Sequence, residues 1–185
     1  NKIKQKISRY KKIILINHTD LYVEAFLNLK RKIKEIGKIK IVKLDYGKID
    51  PYKFRNIKNR YELPHFEWLP HPLAIVIDLF KDQNFKIKIF EKRKNIKNKL
   101  IQNLKTTLFG KNIKIEIDFS NDYKNKKRNL EIVGSTGSLI YKGYNEKKCF
   151  IRVNKKTRYL KAQEIDPIKN LLINFQIKLK MKKLS

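Results

Sequence analysis

The sequence predicts an α+β fold, and three observations carry that reading. Two stretches each read as strand, helix, strand: an aliphatic or alternating run, then a period near four, then alternation. A long segment rich in basic and aromatic residues separates them. The chain has 185 residues, 41% of them hydrophobic, with ten Phe and nine Tyr, enough for one domain with its own core.

In chain order, residues 1–12 hold six basic residues and no acid, a basic N-terminal arm suited to order on a phosphate backbone. Residues 13–17 are nearly pure aliphatic, a strand. Thr19 or Asp20 is placed to cap the helix that follows. Leu21, Ala25, Leu29 and Ile33 form its inward face, widened by Tyr22, Phe26 and Ile36, and Gly37 ends it. Residues 38–44 alternate Lys and Ile, a second strand. The second unit runs from 86 to 119. Residues 86–90 alternate; Ile96, Leu100, Leu104 and Leu108 recur every four residues as one helical face; Gly110 closes; residues 112–119 alternate again.

Residues 45–72 between the units contain Gly47 and four of the five prolines. Lys48, Lys53, Arg55, Lys58 and Arg60 interleave with Tyr46, Tyr52, Phe54 and Tyr61, and His65, Trp68 and His71 follow. A loop this long is normally functional, and basic residues mixed with aromatics suit phosphate contacts and base stacking. Residues 73–80 (LAIVIDLF) read as a buried strand, and 81–84 as a turn. Beyond Phe119, residues 120–128 form a basic linker with Lys126, Lys127 and Arg128. Residues 130–133, 139–141 and 149–153 are short strands split by glycine turns. Lys155, Lys156 and Arg158 make another basic cluster. Asp166 caps a helix over 167–180 with Pro167 at its first position, its stripe being Ile168, Leu171, Leu172, Phe175 and Leu179.

The formal net charge of +29 implies a polyanionic partner, and those basic and aromatic residues are the candidate RNA contacts. Only eight of 46 basic residues are Arg and only three residues are Ala, a skew that AT-rich codons produce, as in organellar genomes. Three histidines, His18, His65 and His71, lack metal-ligand spacing. The 134–137 segment lacks the lysine and spacing of a phosphate-binding loop and reads as a hairpin turn. Cys149, the one cysteine, alternates with Ile151 and Val153 and reads as packing. Acids are scattered, with no paired cluster for Mg²⁺. The expectation is therefore a protein without catalysis, cofactor, metal or small-molecule substrate. No apolar run reaches the roughly eighteen residues of a spanning helix, so no membrane is expected.

The order βαβ–βαβ is the split arrangement of ferredoxin-like folds, here with two helices and a projecting loop. With the charge, it resembles the ten family of small-subunit ribosomal proteins, as a divergent mitochondrial member. Residues 13–37 resemble that family's first strand, turn and helix. Residues 58–71 hold Arg60-Tyr61 and then Leu-Pro-His twice, where the family has an Arg-aromatic strand and Ser-Pro-His. Residues 95–117 resemble the closing helix and strand. The apolar 73–80 run departs from the family's polar, Arg-containing segment. The resemblance implies a ferredoxin-like RNA-binding domain over 13–119 and a lineage-specific basic extension over 120–185. It also implies ribosomal RNA and neighbouring ribosomal proteins as partners, in the small-subunit head of a ribosome in the mitochondrial matrix. The rival readings are another basic nucleic-acid-binding module and a degenerate maturase or endonuclease.

Overall fold

The computed structural model describes residues 18–48, 52–53, 63–96, 99–143, 148–161 and 166–183, and a period of two governs most of them. In β1 (Ile39–Gly47), Val42, Leu44 and Tyr46 are buried while Lys43 is exposed. The same alternation buries Ile115, Ile117 and Phe119 in β5 (Lys114–Ser120) and Leu130 and Ile132 in β6 (Lys127–Gly134). It continues through Leu139 and Tyr141 of β7 (Gly137–Lys142) and Cys149 and Ile151 of β8 (Lys148–Val153). The short β2 (Tyr52–Lys53), the hairpin β3 (Lys86–Ile96) and β4 (Lys99–Phe109), and β9 (Lys156–Leu160) complete one nine-stranded sheet. Its order is β3-β4-β5-β1-β6-β7-β8-β9, with β2 against the start of β4. Among the described residues, only β1 and β5 run parallel and every other pair is antiparallel.

Helices cover the buried face. A 3₁₀ turn (Thr19–Tyr22) leads into α1 (Glu24–Lys32), which a second 3₁₀ turn (Ile33–Ile36) extends until Gly37 takes φ 72. Ala25, Phe26, Leu29 and Ile36 are buried, and α1 lies over β7 and β8. Prolines start both α2 (Pro64–Trp68) and α3 (Pro70–Phe80), where a missing N–H costs nothing. Trp68, Ile75, Val76 and Phe80 join the same core. Each fully buried aliphatic side chain contributes roughly 1.5–3 kcal/mol. The ion pairs on exposed side chains, such as Lys30–Asp78, contribute about 1 kcal/mol at most, so the core decides the fold.

Several expectations are corrected. The stretch expected as a helix carrying Ile96, Leu100, Leu104 and Leu108 is a β-hairpin, so the second unit is an antiparallel meander of β3, β4 and β5. Every fourth residue also falls on one face of a strand, and Gln102 and Thr106 fill the positions between as buried polar residues. The apolar run at 73–80, expected as a strand, is most of α3; Ile77 is 65% exposed, while Ile75, Val76 and Phe80 face inward. Residues 127–160, read as an extension beyond a boundary at 119, supply four strands, and β6 pairs directly with β1. A ferredoxin-like sheet with two helices is therefore not the architecture.

Other readings hold in place. The strands at 130–133, 139–141 and 149–153 lie inside β6, β7 and β8. The terminal helix is α4 (Pro167–Lys183), and Asp166 Oδ1 accepts from the Ile168 N–H at 2.9 Å. Of its expected stripe, Leu171 is buried, whereas Ile168 and Leu172 are about half exposed. The basic cluster at 155–158 turns out to open β9, because Asn154 and Lys155 both take positive φ (49 and 64), as a two-residue hairpin turn requires. The N-terminal arm, the strand at 13–17 and the middle of the 45–72 loop lie outside the described residues.

Polar residues inside β4 are fully engaged. The Gln102 backbone N–H donates to Asn121 Oδ1 at 2.7 Å, and Asn121 Nδ2 donates to the Leu100 carbonyl at 2.7 Å. Asn121→Ala would strand a buried donor and a buried acceptor, and should lower stability by about 1–3 kcal/mol. Denaturant unfolding measures this, and Asn121→Asp, which keeps only the acceptor, should fall between the two.

Candidate active site

One carboxylate organises the end of the sheet where β1 finishes. Asp20, in the first 3₁₀ turn, is 5% exposed. Its Oδ1 accepts from Arg128 Nη1 at 2.7 Å, and its Oδ2 lies 2.9 Å from His71 Nδ1. The partners come from distant places: Arg128 from the start of β6, where it pairs in register with Tyr46, and His71 from the first turn of α3. Burial pushes the Asp20 carboxyl up, but the neighbouring His71 and the Arg128 charge outweigh it, so it titrates below its ordinary value. The neighbouring Tyr46 phenol is pushed well up, by burial first and then by the Asp20 charge.

This geometry fixes what His71 can do. Nδ1 is close enough to Asp20 Oδ2 for an ion pair, although the two are not aligned as a hydrogen bond, and Nε2 is then the nitrogen left to face a ligand. The imidazole is about a quarter exposed, so Nε2 is within reach of solvent or a ligand. His18 lies edge-on to it, with ring centroids 6.4 Å apart. Beside this pair the Trp68 ring is flanked by Arg128 Cζ at 5.3 Å, Lys48 Nζ at 5.9 Å and Lys126 Nζ at 6.0 Å. Partial burial depresses the Lys126 ammonium, and the Arg128 and Lys48 charges add to that against the pull of Asp20.

Of the residues singled out in the sequence, Lys48, Trp68, His71, Lys126 and Arg128 meet here, with Lys127 next to them, its Nζ 4.1 Å from the Tyr123 ring. His65 does not join them. Its ring nitrogen Nδ1 lies 2.6 Å from Gln102 Nε2, within the buried network of β4. Lys155, Lys156 and Arg158 sit on the β8–β9 hairpin at the opposite end of the sheet, where Arg158 Nη2 donates to Glu35 Oε2 at 2.8 Å. Arg55, Lys58 and Arg60 lie outside the described residues, as does the side chain of Lys53. The residue that sequence reasoning missed is Asp20, taken for a helix cap. The helix is capped instead by extended Val23 with no side-chain bond. Nothing local marks Asp20, since its arginine is 108 positions away.

Other places offer less chemistry. A cavity of about 740 Å³ at the Gly37 end of the sheet is lined by Lys34, Lys38, Asp82, Asn84 and Lys111, with no histidine or cysteine. Cys149 is fully buried, and burial pushes its thiol up to about 12, so it packs rather than reacts. Among the described residues no three His, Cys, Asp or Glu side chains group as a metal site, and no helix is long and apolar enough to cross a membrane.

No protein-family profile matches the chain, and no curated protein matches it. Solved structures do. A protein of Magnetospirillum magnetotacticum, provisionally assigned as an oxidoreductase, is 18% identical with a TM-score of 0.76, over 94% of this chain and 58% of that one. Biliverdin reductase from Synechocystis, solved with biliverdin and NADP⁺, is 13% identical with a TM-score of 0.71, over 91% and 55%. An inositol dehydrogenase homologue from Azotobacter vinelandii, solved with NADH and myo-inositol, is 11% identical with a TM-score of 0.62, over 86% and 45%. This chain thus spans about half the length of each.

The chain shares its fold with part of these oxidoreductase structures. This overturns the likeness to the ribosomal protein family, and with it the expected ribosomal role and the expected RNA and ribosomal-protein partners. The expectations of no catalysis and no small-molecule substrate fall on the same finding, since the structures sharing this fold are oxidoreductases, two of them holding small molecules.

The dinucleotides in those structures raise the question of a matching cradle here. The glycines do not supply one. A Cβ on Gly47 would meet the Ser120 carbonyl oxygen at 1.8 Å, on Gly134 the Ile36 carbonyl oxygen at 2.0 Å, and on Gly137 the Arg152 carbonyl oxygen at 2.3 Å. These glycines let the chain's own backbone approach and leave no room for a pyrophosphate. None of these three positions is a pyrophosphate cradle.

Asp20 also sets an acid limit. Its folded-state value lies below the ordinary 3.8, so the unfolded chain binds more protons in that interval. Its contribution is whole above 3.8 and is lost as pH falls through the folded value. Thermal unfolding followed against pH should therefore show Asp20→Asn less stable than the parent at neutral pH, with the gap closing in acid.

Proposed function

We propose that this chain forms the substrate-binding and proton-transfer part of an oxidoreductase acting on a small molecule that bears a hydroxyl or carbonyl group. The observation that carries it is the buried Asp20 carboxylate 2.9 Å from His71 Nδ1, in a fold shared with solved structures of oxidoreductases. Oxidising an alcohol to a carbonyl requires the hydroxyl proton to leave, and His71 Nε2 is the group to accept it; in the reverse direction the same nitrogen donates. Asp20 offsets the charge that develops on the imidazole. Arg128 takes the other carboxylate oxygen and keeps Asp20 from rotating away. This chain supplies the proton side of the reaction; the hydride that leaves the carbinol carbon requires a nicotinamide acceptor, the class of cofactor present in the biliverdin reductase structure.

The test is turnover by the protein purified from its source, with NAD⁺ or NADP⁺ and a panel of polyols and hydroxy acids. His71→Gln should lower kcat by about 10²–10⁴, and Asp20→Asn should lower it as well. Equal turnover by His71→Gln would sink the assignment.

A further inference from the structure

The cavity at the Gly37 end of the sheet lies well away from His71. His71 stands in the first turn of α3 and Phe80, which lines the cavity, ends that helix, so about 13 Å of helix separates the two places at 1.5 Å per residue. Three turns meet around the cavity: the one that carries α1 into β1, the one that follows α3, and the one between β4 and β5. Each is pinned. The Lys38 N–H donates to Ser135 Oγ at 3.0 Å, the Gln83 N–H to the Phe80 carbonyl at 3.0 Å, and the Gly110 N–H to the Ile113 carbonyl at 2.9 Å. Ile33, Ile39, Phe80 and Ile113 make the more buried floor, under an exposed polar rim. A volume of about 740 Å³ and an apolar floor with a few convergent polar groups are what a small-molecule site requires.

Lys34 and Lys38 reach that rim from the α1–β1 turn and Lys111 from the β4–β5 turn. Among the described residues none of the three is in an ion pair, whereas Lys30, Lys32 and Lys114 each meet an acid at 2.7 Å. Asp82 is the one acid lining the cavity, and it lies beyond ion-pair distance of all three lysines. The helical runs of α1 and α3 both end here, and their carbonyl ends oppose an anion. That effect is about half a charge per helix and fades within a turn, against three full cations. After Asp82 offsets one of these, two positive charges remain, a match for a phosphomonoester of about −1.5 to −2 at neutral pH. We infer that this cavity binds a phosphorylated small molecule, its phosphate among the Lys34, Lys38 and Lys111 ammonium groups and its apolar or aromatic body on Phe80 and Ile113. The Asn84 and Asn112 amides at the same rim can bond hydroxyl or carbonyl groups of that body. The site stands on its own geometry and does not rest on the proton-transfer reading of His71.

The experiment is a titration of the nitrogen-15-labelled full chain with phenyl phosphate, read from its amide resonances at ionic strength held constant with chloride. Saturable shifts are expected at residues 33–39, 80–84 and 110–113. Inorganic phosphate should bind the same place about tenfold more weakly, for want of a ring to bury. Lys34→Gln, Lys38→Gln and Lys111→Gln should each weaken phenyl phosphate binding about fivefold, the contribution of one exposed ion pair, and the triple variant should show no saturable shift. All three positions are exposed, so these variants keep the fold, which the same spectra verify. Lys142→Gln, at an exposed lysine on the other end of the sheet, should bind as the parent does. His71→Gln should also bind as the parent does, and its turnover tests the proton-transfer reading alone. If inorganic phosphate binds as tightly as phenyl phosphate, the ligand class is wrong. Shifts spread over lysines of the whole surface, shifts gathered instead around Trp68 and His71, or a triple variant that titrates like the parent overturn the inference.

Discussion

A buried carboxylate between an arginine and a histidine holds this end of the molecule together. Asp20 lies in a single 3₁₀ turn, yet it ties the approach to α1, the start of β6 and the first turn of α3 to one point. Taking a carboxylate and a guanidinium out of water costs several kcal/mol per ion, repaid only if both are well bonded. Removing one partner leaves the other charge buried, so the three residues stand or fall together. Such a cluster does little for stability that apolar packing could not do. What apolar packing would not supply is an imidazole held beside a carboxylate with its second nitrogen turned to a ligand.

Much of the sheet was legible because alternation is a local property. Lys38 to Leu44 and Asn112 to Phe119 announce β1 and β5, and the glycine turns announce the hairpins of β6, β7 and β8. The failures have a common cause in geometry. A residue spacing of four satisfies a helix face and a strand face alike, and the strand reading of β4 requires Gln102 and Thr106 to be buried. Only the tertiary partners of Gln102, Asn121 foremost, make that burial tolerable, and they are not visible in the local pattern. In α3 the reverse happened: Leu73 and Ile77 on its exposed side are as apolar as the buried Ile75, Val76 and Phe80, which erases its helical period. Pro70 and Pro72 were the surviving signal, since a proline pair before an apolar run marks a helix start.

The site was half legible. Lys48, Trp68, His71, Lys126 and Arg128 were all singled out, as contacts to RNA, from a rule that reads charge beside aromatics as a nucleic-acid surface. That rule weighs composition, and composition here is tilted toward lysine by a codon bias that acts on every exposed position. Many lysines occupy exposed positions along the strands, and some meet acids there, as Lys114 does Glu116 at 2.7 Å and Lys43 does Glu131 at 3.9 Å. Net charge therefore says little about this protein's ligand. Convergence says more, because it takes a fold to bring Lys34, Lys38 and Lys111 onto one cavity.

Arg128 links the Asp20 carboxylate to the indole beside it. Its guanidinium donates to Asp20 at 2.7 Å on one side and lies 5.3 Å from the Trp68 ring on the other. Arg128 pairs in register with Tyr46 of β1, while Trp68 ends the helix just before His71, so one cation ties the sheet to the chain that carries the imidazole. A long arginine does this where a shorter side chain would not, because its planar fork can bond a carboxylate at one edge and lie near a ring with its face. The position of Asp20 is thereby coupled to that of α2, and moving one moves the other.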